Sequence, residues 1–384
     1  MHKANRLDHI EEYYFSNKMR ELNTLLMEGK PLINLGIGNP DLPPPSSVKK
    51  ALRKSAKKDT THGYQSYKGL PEFRDAVSAF YKKTYQVSID SDREVLPLFG
   101  SKEGIMHISM ALLNKNDKVL IPNPGYSTYA SVTRLVEAEP VFYDLNPSNH
   151  WHPDLKEIEQ YDLTKVKIMW VNYPNMPTGG KATIELFEQL IAFGKKHNIL
   201  IINDNPYSLI LTNKPLSILQ VNGAKDTAVE LNSLSKSFNM AGWRIGMLVG
   251  NQTIIEQTLK VKSNVDSGMF YGLQMGGIAA MRLGNDWFEK LDQEYLKRRL
   301  IVREIVEKLG WTYEKESEGF FVWAKIPEGQ DDTIISDNLL KKYHVFVTPG
   351  SIFGSNGKGY LRFSLCVNQK VLKQVFERVS AKLF

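Results

Sequence analysis

The chain has 384 residues, 42% hydrophobic and 24% charged, enough for two ordinary domains with a sizeable buried core. Its single cysteine, Cys366, excludes an internal disulfide framework and a multi-cysteine zinc site. The formal charge of +7 raises nucleic acid as a partner. Yet the basic cluster "PSSVKKALRKSAKKDTTHGY" (45–64) carries Val48, Ala51, Leu52 and Ala56 at helical spacing, so its lysines fall on the solvated face, and no nucleic-acid motif accompanies them.

The first segment, "MHKANRLDHIEEYYFSNKMREL", is charged throughout and lacks the apolar core of a secretory signal, which leads us to expect a cytoplasmic protein. "EVLPLFG" (94–100) reads as a strand leading into the helical pattern "SKEGIMHISMALLN". "DKVLIP" (117–122) precedes "GYSTYASVTRLV", "VKIMWVNYP" (166–174) precedes "TIELFEQLIAFGKKHN", and "ILIINDNPY" (199–207) follows. Strands alternating with helices predict an α/β domain with a mostly parallel sheet covered on both faces. The uncharged run "SGMFYGLQMGGIAAM" (267–281) is too short and glycine-rich for a membrane span. "HWH" (150–152) has no further cysteine or histidine nearby to complete a zinc site, and reads as a surface loop.

After Met281 the character changes. A long amphipathic helix (285–310), strands at 319–327 and 360–365, and a helix from Gln369 predict a smaller α+β unit. We therefore expect residues 45–281 to form the large α/β domain, and 1–44 with 282–384 the small one.

In an open parallel sheet, ligands bind beyond the carboxyl ends of the strands. "GSKEG" (100–104) joins a strand to a helix, where free backbone N–H groups and the Ser101 hydroxyl suit a phosphate. It lacks Walker spacing, and "GIGNPD" (36–41) lacks the third glycine of a dinucleotide fingerprint. Asp204 ends the apolar run "ILIIN", where a carboxylate is costly without a cationic partner such as a protonated ring nitrogen. Lys236 sits among small hydroxyl residues in "LNSLSKSFNMAGWRIG" (231–246). A phosphate site, an acid for a ring nitrogen and a lysine on a loop match what pyridoxal 5'-phosphate demands. A desolvated lysine beside other cations has a depressed pKa and becomes a competent nucleophile and proton carrier.

Together these stretches resemble the fold-type I pyridoxal-phosphate enzymes, and more narrowly the class I/II aminotransferases, over roughly Asn34 to Ser364. The resemblance implies a large domain with a seven-stranded, mostly parallel sheet flanked by helices, plus a smaller α+β domain. It makes Lys236 the Schiff-base lysine, with Ser233, Arg244, Ser101 and the Lys102 backbone on the cofactor phosphate. "PNPGYSTY" points to Tyr126 as the aromatic stacked on the pyridine. "DNPY" assigns Asp204 to the pyridine nitrogen and Tyr207 to the phenolic oxygen. "YLRFSL" makes Arg362 the bidentate grip on the substrate α-carboxylate, and "NLGIGNPDL" places Gly38 near it. "GYQSYKGLPEFRDAV" gives Tyr64 the phosphate of a neighbouring subunit, which implies a homodimer with shared active sites.

The family pattern N-P-x-N-P-[ST]-G reads "NYPNMPTGG" here (172–180), with Met176 where the second asparagine belongs. A thioether cannot donate to the phenolic oxygen. The expectation is that Asn175 or Asn172 compensates, or that the aldimine pKa is raised. The resemblance implies amino-group transfer between an L-amino acid and a 2-oxo acid. A β-eliminating C–S lyase of the same fold, an acyl-transferring synthase or a non-catalytic ligand-binding relative are the alternatives. Residues 260–274 resemble LL-diaminopimelate aminotransferases and their aspartate- or alanine-using relatives, while no second arginine for a dicarboxylate can be assigned.

Overall fold

The computed structural model describes residues 2–381. Its strands in chain order are β1 (Ile33–Asn34), β2 (Val95–Leu98), β3 (Lys118–Asn123), β4 (Glu139–Asp144), β5 (Val166–Val171), β6 (Leu200–Asp204), β7 (Ala228–Ser233) and β8 (Gly246–Gly250). These are followed by β9 (Thr312–Tyr313), β10 (Phe321–Lys325), β11 (Val345–Phe346), β12 (Thr348–Pro349) and β13 (Tyr360–Ser364).

Seven of them form one sheet in the order β2-β8-β7-β6-β5-β3-β4. All neighbouring pairs are parallel except those made by β8, which runs against both β2 and β7. Alternate residues of each strand face opposite sides, which divides the core into two layers. Ile201, Met169, Val171, Ala228 and Val249 pack on one face, and Ile202, Ile168, Trp170, Val229 and Leu248 on the other. Burial on both faces is why β5 and β6 read as continuous apolar runs rather than alternating ones.

The C-terminal part builds an antiparallel sheet in the order β12-β13-β10-β9. Although far away in sequence, β1 pairs in parallel with β11. The N-terminal helix Tyr14–Met27 buries Leu22 in a cluster with Leu340 and Phe346.

The helix Ser46–Ala56 buries Val48 as expected, but Ser55 rather than Ala56 faces inward. Ser55 tolerates burial because its hydroxyl donates to the Ala51 carbonyl at 2.9 Å. The uncharged run contains the helix Tyr271–Met281, whose glycines admit close neighbours. A Cβ on Gly276 would lie 2.7 Å from the Trp243 ring, and one on Gly277 2.6 Å from Phe73. Among the described residues, no helix is long and apolar enough to cross a membrane.

The segment 150–152 departs from the surface loop expected. Trp151 is buried against Tyr360, with ring centroids 5.7 Å apart, and His152 meets the Lys181 carbonyl at 2.9 Å. An indole of that size was bound to seek the core once a neighbouring ring offered a surface.

Candidate active site

The carboxyl ends of β3, β5, β6 and β7 open on a cavity of about 280 Å³, closed on its other side by the N-terminal segment and by β10 and β13 residues. Lys236 enters it from the tight loop after β7. That loop is fixed by the Leu234 N–H on the Ile245 carbonyl (3.1 Å), the Met240 N–H on the Leu234 carbonyl (3.3 Å) and the Ser235 N–H on Ser233 Oγ (3.1 Å). Lys236 Nζ donates to the Gly38 carbonyl at 2.6 Å and lies 5.7 Å from the centre of the Phe320 ring. Burial pushes its pKa down to about 8, and the Arg362 and Arg244 cations act in the same direction.

Asp204 ends β6 only 5% exposed. Its Oδ2 accepts the Tyr129 hydroxyl at 2.9 Å, while Oδ1 is buried with no partner among the described residues. Desolvation lifts its pKa to about 6, against the stabilising Tyr129 bond. Tyr129 is itself held by stacking on Trp170, 4.9 Å away and nearly parallel at 6°.

At one end of the cavity, the helix Ser101–Leu112 presents its N-terminus beside Ser101, Ser233, Ser235 and Arg244. Gly100 precedes it at φ +89°, and a Cβ there would sit 2.4 Å from Arg244 Nη2. Glycine is required for both reasons. Arg244 Nη1 donates to the Ala241 carbonyl at 3.0 Å. The Lys102 ammonium lies 4.1 Å over the Tyr13 ring, with its pKa lowered by burial and by Arg244. Helix N–H groups, hydroxyls and cations in one place make an anion site.

Arg362 lies at the other end, on β13 and 4% exposed. Nη2 donates to the Gly36 carbonyl at 2.7 Å and Nη1 faces Met176 Sδ at 3.1 Å, while Nε has no partner among the described residues. Its guanidinium lies 4.1 Å from the Phe321 ring centre, 4.7 Å from Phe353 and 5.5 Å from Phe15. Burial pushes its pKa down to about 10. One donor unpartnered and another set on a weak sulfur acceptor leave a buried fork ready for a carboxylate.

Gly38, Ser101, Lys102, Tyr126, Asp204, Tyr207, Ser233, Lys236, Arg244 and Arg362 thus line one cavity. Asn175 does not. Its Oδ1 accepts the Thr178 hydroxyl at 2.7 Å and its Nδ2 donates to the Asn172 carbonyl at 3.3 Å, so the loop turns that side chain away. Asn172 and Met176 form the wall instead. Asn172 donates to the Asp204 carbonyl at 2.5 Å and accepts the Met176 N–H at 2.8 Å. Tyr64 is 93% exposed and lies outside this protomer's cavity.

Sequence reasoning missed Tyr13, Phe15, Tyr129, Ser235, Phe321 and Phe353, which also line the site. Tyr129 stands one helical turn after Tyr126, a spacing that could have flagged it. The aromatic run "YYF" (13–15), in a charged segment, was the other available signal.

Pyridoxal phosphate fits this donor set. An orphaned buried carboxylate oxygen suits a ring nitrogen, the helix N-terminus with its serines and Arg244 suits the phosphate, and the depressed-pKa amine suits the aldehyde.

Comparison with known proteins agrees. The family model "Aminotransferase class I and II" matches residues 30–379. An LL-diaminopimelate aminotransferase of Halothermothrix orenii is 39% identical over 381 residues, covering 99% of this chain and 98% of that protein. One of Aquifex aeolicus is 40% identical, covering 98% of each. A substrate-bound BacF structure from Bacillus subtilis superposes with a TM-score of 0.96 at 37% identity, over 99% of this chain and 98% of that one. An aspartate aminotransferase of Thermotoga maritima does so with a TM-score of 0.91 at 27% identity, over 99% and 100%. The chain belongs to the class I and II aminotransferases, near the LL-diaminopimelate branch, and is a pyridoxal-phosphate-dependent transaminase of fold type I.

Proposed function

We propose that this enzyme moves an amino group between an L-amino acid and a 2-oxo acid with Lys236 as the proton carrier, Arg362 as the carboxylate grip and Asp204 as the partner of the ring nitrogen. The observation that carries the assignment is that the Lys236 amine, the unpartnered Asp204 oxygen and the Arg362 fork all face one cavity. When bound, pyridoxal phosphate supplies the aldehyde that takes up the amine and the ring that draws electrons from Cα.

The chain's own residues do the rest. Lys236, with a pKa near 8, is partly neutral at physiological pH and takes the proton from the substrate Cα, then returns one. Arg362 fixes the carboxylate and with it the direction of the Cα–H bond. Ser101, the Lys102 N–H, Ser233 and Arg244 would hold the phosphate, Tyr126 would cover the pyridine face, and Tyr207 would meet the phenolic oxygen. Gly38 leaves room beside the carboxylate, since a Cβ there would lie 2.4 Å from the Phe321 ring. Asn172, rather than Asn175, is the amide on the cavity wall.

The assembly is a homodimer with shared active sites, working in the cytoplasm. A tyrosine as exposed as Tyr64 is accounted for when a second copy covers it and its hydroxyl meets the neighbour's phosphate. Sedimentation should give twice the chain mass, and Tyr64→Phe should weaken coenzyme retention. The reaction itself is tested by mixing holoenzyme with single amino acids and following the visible band together with the released oxo acid. Stoichiometric oxo acid without free ammonia is expected. Ammonia released in step with pyruvate would instead mark an eliminating lyase.

A further inference from the structure

We infer that Asp292, on the long helix Asn285–Lys308, is a positioning residue for this reaction: by holding the backbone at Leu211 it sets where the Tyr207 hydroxyl stands in the cavity. Arg299, two turns further along the same helix, is its second jaw. The inference rests on the transamination reading and on the place which that reading gives Tyr207. Neither Asp292 nor Arg299 is on the cavity wall, so both act through the backbone they hold.

After Tyr207 the chain turns tightly, the Ile210 N–H donating to the Tyr207 carbonyl at 3.0 Å. The turn ends on Leu211 at φ +52°, a left-handed conformation that a bulky L-residue rarely adopts. Such a residue persists only where its neighbours hold it. Asp292 Oδ1 accepts the Leu211 N–H at 2.7 Å, a charge-assisted bond when the carboxyl is ionised. The preceding carbonyl, that of Ile210, accepts the Gly319 N–H at 2.9 Å, and the Gly319 carbonyl accepts buried Arg299 Nη2 at 2.7 Å. One face of the helix therefore grips both the Tyr207 turn and the stretch leading into β10. The Tyr207 ring stands edge-on against that stretch, 5.5 Å from Phe320 at 85° and 5.9 Å from Phe321 at 73°. Releasing Leu211 lets the turn relax and carries the ring with it. A displacement of about 0.5 Å at the hydroxyl is enough to spoil its hydrogen bond.

A hydroxyl donating to the coenzyme's phenolic oxygen favours the anionic form and so lowers the pH at which the bound chromophore titrates. The test is a pH titration of the visible band of holoenzyme, for wild type, Tyr207→Phe, Asp292→Ala and Asp292→Asn. Tyr207→Phe should raise the midpoint by about one pH unit, tenfold in proton affinity, and Asp292→Ala by about half as much. Asp292→Asn, whose amide oxygen still accepts the Leu211 N–H, should titrate close to wild type. The band itself reports that each variant folds and holds coenzyme. Where Asp292→Ala gives no folded protein, Asp292→Ser, too short to reach Leu211, takes its place with the same expected shift. A wild-type midpoint in Asp292→Ala, beside a raised one in Tyr207→Phe, overturns the inference and leaves the transamination reading intact. A shift in Asp292→Asn as large as in Asp292→Ala also overturns it, because charge rather than the backbone bond would then be acting. An unmoved midpoint in Tyr207→Phe removes Tyr207 from the phenolic oxygen, and the role of Asp292 falls with it.

Discussion

Tyr129 holds Asp204 by one oxygen: its hydroxyl donates to Oδ2 at 2.9 Å, and Oδ1 lies buried without a partner among the described residues. The coenzyme-free protein therefore carries a carboxyl group that prefers its proton, with a pKa of about 6 against 3.8 for an ordinary aspartate. A raised acid pKa means that the folded state binds more protons than the unfolded one between those values, so stability falls as pH rises through that window. Comparing apo wild type with apo Asp204→Asn in urea melts from pH 4 to pH 7 should show the wild type losing ground by on the order of 3 kcal/mol. A constant difference across that range would mean that the carboxylate is not desolvated.

Tyr129→Phe removes the one donor to the buried carboxylate among the described residues. Stability should drop by about 1–3 kcal/mol, the usual cost of stranding a buried polar group. The drop should be larger at pH 7.5 than at pH 4, because only the ionised acid misses the bond. Chemical denaturation at the two pH values checks it.

Lys236 gives a second pH signature. With its pKa at about 8 instead of 10.5, roughly a tenth of the amine is neutral at pH 7. Uptake of pyridoxal phosphate by apoprotein, followed in the visible spectrum, should quicken steeply between pH 6 and 8 and level off above. An amine of ordinary basicity would keep accelerating past pH 10.

Gly100→Ala would force an L-residue into φ +89° and drive its Cβ towards Arg244. We expect a loss of about 1–2 kcal/mol of stability from the backbone. Coenzyme affinity should also fall, by about tenfold, because displacing Arg244 removes a charge-assisted phosphate contact. Fluorescence titration of the apo variant measures the second effect separately from the first.

Arg362→Lys keeps the charge and loses the fork. KM for the amino acid should rise about a hundredfold with a smaller fall in kcat, as ground-state and transition-state contacts to the carboxylate are both weakened. Coenzyme affinity should stay near wild type, which separates this variant from one that unfolds the site.

Much of the architecture was legible because β5 and β6 are apolar runs with helices after them. Strand β7 was harder to see, since Glu230 interrupts it. That carboxylate tolerates burial because Tyr81, Asn203 and Ser217 donate to it at 2.9–3.0 Å and the Ile218 N–H at 3.2 Å. The short β8 hides between glycines. Within the site, Lys236, Asp204 and Arg362 could be read because each sits in a local motif. Tyr13 and Phe15 could not, because what brings them to the cavity is the packing of a distant helix through Leu22 on Leu340 and Phe346. The choice between Asn172 and Asn175 turned on one hydroxyl, that of Thr178, which captures the latter amide.

The central claim is that the amine of residue 236 is the one that captures the coenzyme aldehyde. Holoprotein reduced with borohydride and digested with trypsin should carry the pyridoxyl label on the missed-cleavage peptide Asp226–Arg244, at Lys236. Label on any other lysine, or a colourless protein that takes up none, would contradict it.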